Sequence, residues 1–194
     1  MNQEEFQFFD ICKEKSTNEG DYSDNSDTET NVSRDESIIP EFLEEVSSVL
    51  NTIIMENKFN RNEKTDKIFS YSEPPKISIF DYLSRIQQNL NLNNSTFIIA
   101  LIYIDRICKK NSIILTKYNI HRLLLSAILT AIKYNEDEIC LNSYYAKVTG
   151  ITTKELSLLE GTFIKLIGFK LFVADELFQK YISLFFSVNK LTNN

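Results

Sequence analysis

Apolar residues recur at three- and four-residue spacing over most of the chain after residue 40, the signature of amphipathic helices. Pro40 suits a first helical position, and Phe42, Val46, Val49, Leu50 and Ile53 follow on one face. These predict a helix of about four turns. A polar connection from Asn57 to Ser72 separates it from a second helix, whose start is assigned to Pro74-Pro75 and whose apolar side carries Ile77, Ile79, Phe80, Leu83 and Ile86. Ser95 is the expected N-cap of a helix over Thr96–Lys110, closed by Lys109 and Lys110, which complement the helix dipole. Asn119 is the expected cap of Ile120–Tyr134. Leu123, Leu124, Leu125, Ile128, Leu129 and Ile132 make that segment apolar nearly all round, so it is predicted to be the buried central helix. A short helix around Asn142–Val148 ends at Gly150, Thr153–Ile167 forms another stopped by Gly168, and Asp175–Phe186 reads as a last helix against the core. The predicted fold class is all-α, a compact helical bundle.

The beginning of the chain is different. Ser16–Ser37 is Ser, Thr, Asn and acidic residues with Tyr22 and Val32 as its apolar side chains, too few to offset the entropy of ordering. Residues 1–37 are expected to be an acidic, disordered tail, with Phe6, Phe8, Phe9 and Ile11 read as a frayed terminus rather than a docking patch. Residues 38–72 hold the first helix and its connection, 73–187 the main helical domain, and 188–194 a short C-terminal tail. With 194 residues and 43% hydrophobic content, one core is expected; four Gly and three Pro argue against a turn-rich β architecture.

Charge sharpens the picture. The formal charge is −6, but the first forty residues carry eleven acids against three bases, leaving residues 41–194 near +2. A near-neutral helical part with one His lacks the basic stripe of a nucleic-acid binder. Cys12, Cys108 and Cys140 are odd in number and widely spaced, which indicates neither disulfides nor a zinc site and fits a reducing compartment. There is no apolar signal core at the N-terminus and no run long enough to span a bilayer, so a soluble, intracellular protein is expected.

No catalytic constellation appears. His121, the single imidazole, falls in the first turn of the central helix and is read as a packing or capping residue; no Gly-rich phosphate loop exists, and Cys108 and Cys140 lie in or beside apolar helices. No cofactor or metal is expected. The informative residues are charges among apolar neighbours. Glu160 has Leu156, Phe163, Ile164 and Ile167 on its face, so its carboxylate needs a mate or a partner, and Lys133 in the last turn of the central helix is the natural one. On residues alone two other accounts stand equally: Lys133 as a solvated cation paired with Asp137, and Glu160 at the edge of a wide apolar stripe. Phe163, Ile164, Phe169 and Leu171 are then either core or a docking face.

Six stretches occur in the order and spacing of a known family: Pro74-Pro75-Lys76-Ile77-Ser78-Ile79, Tyr103-Ile104-Asp105-Arg106, Asn119-Ile120-His121-Arg122-Leu123-Leu124, Ala131-Ile132-Lys133-Tyr134, Asn142-Ser143-Tyr144-Tyr145-Ala146-Lys147-Val148 and Glu155-Leu156-Ser157-Leu158-Leu159-Glu160. Over roughly Pro40–Leu184 the chain resembles a cyclin of the P/U (phosphate-pathway) type. The resemblance implies a single five-helix cyclin box preceded by an N-terminal helix, with no second box. It also implies a heterodimer with a cyclin-dependent kinase, which the chain activates without chemistry of its own. Lys133 and Glu160 match the pair that clamps the kinase; Tyr134, Lys154, Ile164, Phe169 and Leu171 match its surroundings. Asp105 matches a buried structural Asp, with Arg85 or Lys76 as its mate. The stretch Lys76–Tyr82 departs from the Met-Arg-Ala-Ile-Leu segment that forms a substrate-docking groove in cell-cycle cyclins, and Thr149-Gly150 replaces a usual Gly-Gly. A role in cell-cycle or nutrient-linked control and a nuclear or cytoplasmic place follow from the same resemblance. The alternative is a cyclin-box scaffold in a transcription complex, which calls for a basic face and a tandem box. Ser26 and Ser33, each with an acid three residues on, are candidate phosphorylation sites, the other account being a plain solubilising tail.

Overall fold

The structure is a computed structural model that describes residues 40–57 and 67–186; the tail with Ser26 and Ser33, the Phe6–Ile11 patch and residues 188–194 lie outside the described residues. Among the described residues there are seven α-helices, a 3-10 turn and no strand: α1 (Pro40–Glu56), the turn Lys67–Phe69, α2 (Ile79–Leu90), α3 (Asn94–Asn111), α4 (Ile120–Asn135), α5 (Asn142–Thr149), α6 (Thr153–Ile167) and α7 (Asp175–Phe186). The five helices α2–α6 form the expected box, with α1 ahead of it.

The central helix is α4. It is buried from Ile120 through Ile132, save Arg122, because its apolar residues leave no polar stripe to turn outward. It packs between α3 and α6. The α1 helix buries Phe42, Val46, Val49, Leu50 and Ile53 against α2 and α7, with Phe42 edge-on to Phe185 at 6.0 Å. Burying a side chain of this size contributes roughly 1.5–3 kcal/mol, so α1 is part of the core rather than an appendage.

Several boundaries differ from expectation, each for a local reason. The α2 helix begins at Ile79, after the two prolines rather than at them. Ser78 is the first residue able to cap it, accepting from the Asp81 N–H at 3.0 Å, while a residue that precedes proline is held out of the helical region. Ser95 lies inside α3, whose capping position is Asn93 and makes no side-chain cap bond. Asn119 precedes α4 in helical conformation and does not cap it; its side chain accepts from Thr116 N at 2.8 Å and donates to Ile114 O at 2.9 Å, closing the preceding turn instead. Where a cap does form, at Thr152, its hydroxyl accepts from the Glu155 N–H at 3.1 Å and fixes the start of α6. Gly150 and Gly168 end α5 and α6 at φ of 76° and 70°, a backbone that side chains rarely adopt. Thr149, in place of the usual first Gly, stays helical and bonds back to Tyr145 O at 2.8 Å.

The connection before α2 is less featureless than its polarity suggests. Phe69 of the 3-10 turn is fully buried, edge-on to Phe163. Arg122 of α4 holds this strap: it donates to Ile68 O at 2.7 Å, lies 4.1 Å over the Tyr71 ring and is ion-paired with Glu155 of α6.

Candidate functional site

Three helices converge on Glu160. From α4, Lys133 brings Nζ to 2.6 Å from Oε1; from the start of α5, Asn142 donates to Oε2 at 3.3 Å and to Ser157 Oγ at 3.3 Å. The pair that the apolar surroundings demanded is formed, and Lys133 takes Glu160 rather than Asp137. The side chains are 26% and 15% exposed, so both charges remain within reach of another molecule. Lys133 Nζ has three hydrogens to donate and this carboxylate takes one.

The apolar residues around the pair separate into core and surface. Phe163 is fully buried and belongs to the core; Ile164 and Leu171 are half-buried, Leu171 packing on the core; Tyr134 and Lys154 are exposed. Phe169 is 72% exposed. Leu158 in α6, Ile139 and Leu141 in the loop after α4, and Phe172 after α6 are also exposed large apolar side chains, and the residue-type reasoning missed them. Leu158 was legible in the helical spacing of α6, on the side opposite Leu156, Leu159 and Phe163.

Phe169 is held outward against its own backbone preference. It follows Gly168 in a second left-handed conformation at φ 59°, which for a residue with a side chain costs roughly 1–2 kcal/mol. Its N–H reaches Ile164 O at 3.2 Å. Two side chains one turn apart on α3 secure the segment: Tyr103 donates to Leu171 O at 2.7 Å and Arg106 to Lys170 O at 2.9 Å. These ties hold the strained segment with its aromatic side chain exposed.

A sequence profile of the Cyclin family matches residues 11–171. The chain belongs to the cyclin family. It is of the P/U type with a single cyclin box, being 40% identical to Cyclin-U2-1 of Arabidopsis thaliana over 148 residues, 70% of this chain and 65% of that one. It is 34% identical to Cyclin-U4-1 of the same plant over 152 residues, 76% and 75% of the two chains. A third relative, PHO85 cyclin-7 of Saccharomyces cerevisiae, is 33% identical over 192 residues, covering 82% of this chain and 67% of the relative. The chain thus spans about two thirds of the length of Cyclin-U2-1.

Within this cyclin box the Tyr103–Arg106 stretch ties α3 to the segment after α6 and to α7. Tyr103 and Arg106 hold the Phe169 segment, Ile104 is buried in the core, and buried Asp105 accepts a hydrogen bond from the Tyr181 hydroxyl of α7. The residues expected as mates of Asp105 are Lys76 and Arg85. Lys76 is exposed, out of place for a 2%-exposed carboxylate, and Arg85 lies on α2 with its guanidinium 5.9 Å from the Tyr82 ring, beside Gly150.

His121 is the packing residue expected. Its Nε2 is 3.1 Å from Ile77 O, its ring stands edge-on to Tyr82, and burial lowers its pKa. It borders a shallow pocket of about 240 Å³ with Tyr71, Glu73, Ile77, Tyr82 and Arg85, in the stretch that departs from the cell-cycle docking sequence. Burial pushes the Cys108 thiol well up, as befits an inert core residue, whereas Cys140 is exposed. Among the described residues no group of three His, Cys, Asp or Glu side chains could hold a metal, and no helix is long and apolar enough to cross a membrane.

Proposed function

We propose that this cyclin is the regulatory, non-catalytic subunit of a cyclin-dependent protein kinase, forming a heterodimer that holds the kinase in its active arrangement. The observation that carries the reading is the Lys133–Glu160 pair at 2.6 Å, partly exposed and bordered by apolar side chains that the fold leaves uncovered. A cation with unused donors beside a carboxylate suits the free N–H and C=O groups at a segment end of a partner, while Tyr134, Leu158, Ile164, Phe169 and Leu171 suit an apolar helix face. Lys154, which the family resemblance adds to this face, is exposed in the first turn of α6.

The mechanism follows from phosphoryl transfer. A kinase positions ATP phosphates through a Lys that must meet a Glu on its C-helix, and a free kinase that holds this helix away is inactive. A subunit that contacts only the closed arrangement shifts the equilibrium by the differential contact energy. Moving it from 1:99 to 99:1 takes about 5.5 kcal/mol. Full burial of three large apolar side chains contributes roughly 1.5–3 kcal/mol each, so Tyr134, Leu158 and Phe169 together hold the required order of magnitude before the cost of association.

The yeast relative is named for PHO85, and a kinase of that kind is the partner class we assign, in cell-cycle or nutrient-linked control in the nucleus or cytoplasm. Capture of the full chain from native lysate, beside a Lys133→Glu, Glu160→Lys double variant, tests this. A cyclin-dependent kinase identified by mass spectrometry with the wild type and lost with the folded variant is expected. Equal kinase recovery on both, or on neither, overturns the reading.

A further inference from the structure

Gly161 has no role within its own chain. Of the three glycines in the described residues, Gly150 and Gly168 take positive φ and terminate helices; Gly161 sits in the interior of α6 with ordinary helical φ. A Cβ built on it meets nothing within 4 Å, so no neighbouring element needs the space. A mid-helix glycine nevertheless destabilises relative to alanine, through backbone entropy. Neither of the usual internal reasons for glycine, a left-handed backbone or a close intramolecular approach, applies.

Its surroundings supply an external reason. Leu158 and Ile164 lie three residues to either side, on the same helical face, and Glu160 borders it. Leu158 is 59% exposed and Ile164 half-buried. The missing side chain therefore leaves α6 backbone open between Leu158 and Ile164, with Ile164 lying between this opening and Glu160. An open backbone position with larger side chains three residues before and three after it is a place where one large side chain of a packed helix can seat.

We propose that Gly161 is a specificity-determining residue of the kinase interface: a large apolar side chain on the partner kinase's helix seats in the notch over Gly161, between Leu158 and Ile164. This rests on the reading of the face as kinase-binding. The notch admits a kinase that carries such a side chain and leaves a void beneath one that does not, which distinguishes among kinases whose contacts to Lys133 and Glu160 are alike.

The test uses opposite signs. The probe is the kinase subunit purified from the wild-type complex, titrated with full-length Gly161→Ala, Gly161→Leu and the Lys133→Glu, Glu160→Lys double variant. Because alanine is the better helix former and the space is open, Gly161→Ala is expected to melt about 2–4 °C higher than wild type. It is also expected to bind about tenfold more weakly, because a methyl group enters an occupied hole, and Gly161→Leu at least a hundredfold more weakly. A merely structural glycine would not gain stability while losing affinity. If both Gly161 variants bind as wild type while the double variant fails, the notch proposal is overturned and the kinase reading stands. If the double variant also binds as wild type, both fall.

Discussion

Removing the Tyr103 hydroxyl loosens the segment that carries Phe169 while leaving everything else in place. In Tyr103→Phe the ring stays fully buried, so no cavity opens, and what is lost is the 2.7 Å bond to Leu171 O together with the hydroxyl's side-chain hydrogen bond with Asn135. A hydroxyl–carbonyl bond contributes about 0.5–1.5 kcal/mol net, and Leu171 is half-buried, so water recovers part of its carbonyl. The expected loss is about 1 kcal/mol, roughly a fivefold rise in the unfolding constant and a fall in Tm of about 2–4 °C. Urea unfolding followed by circular dichroism should show a lower midpoint at unchanged slope, and amide exchange should quicken over residues 169–173. Adding Arg106→Ala, which frees Lys170 O from the same segment, should give less than the sum of the two single effects, since either alone loosens the tie. A Tyr103→Phe midpoint indistinguishable from wild type would refute the role assigned to this bond. A loss above about 3 kcal/mol would refute it equally, because it would mean that the ring had repacked.

Phe169→Gly removes a left-handed strain of roughly 1–2 kcal/mol and replaces an exposed side chain, against a glycine entropy cost of roughly 0.5–1 kcal/mol. Thermal stability should therefore hold or rise slightly while kinase affinity falls; a drop in Tm of several degrees would show Phe169 to be core. His121 is held below its ordinary pKa by burial, partly opposed by the backbone carbonyls of Ile77 and Ser78. The unfolded chain binds this proton more readily than the folded one, so the contribution of neutral His121 is present above the unfolded value near 6.5 and is lost as pH falls through it, levelling below the folded pKa. Stability measured from pH 7.5 to 5 should fall more steeply for wild type than for His121→Gln, and parallel curves would contradict the assignment.

What was readable in advance follows from how each feature is encoded. The helices α4, α6 and α7 announce themselves through many apolar positions each, and Gly150 and Gly168 mark ends because few other residues tolerate their backbone. Glu160 stood out because a carboxylate among four apolar neighbours needs a partner, and Lys133 was the cation that the central helix could offer. The 3-10 turn at Lys67–Phe69 was not readable. One buried phenylalanine in a polar stretch has no period, and its place is set by Arg122, which lies more than fifty residues away in the chain. Asn119 has a capping residue's identity, but its side chain is recruited by Thr116 and Ile114, a local competition that residue type leaves open. Phe163 and Phe169 look equivalent in composition and point opposite ways, because the left-handed turn at Gly168 intervenes between them. The Tyr181 hydroxyl that meets Asp105 comes from α7, 76 residues away in the chain, a pairing that spacing does not reveal.

The central claim is that the face around Lys133 and Glu160 activates a kinase, and it is tested most directly by phosphoryl transfer. The purified kinase subunit is titrated with the full chain, wild type or Lys133→Glu, Glu160→Lys, and peptide phosphorylation is followed at saturating ATP. The double variant exchanges the charges while leaving an ion pair possible, so it should melt close to wild type. The account predicts a saturable rise in activity with wild type and none with the folded variant. Activity that stays flat with wild type, or that rises equally with both, would contradict it.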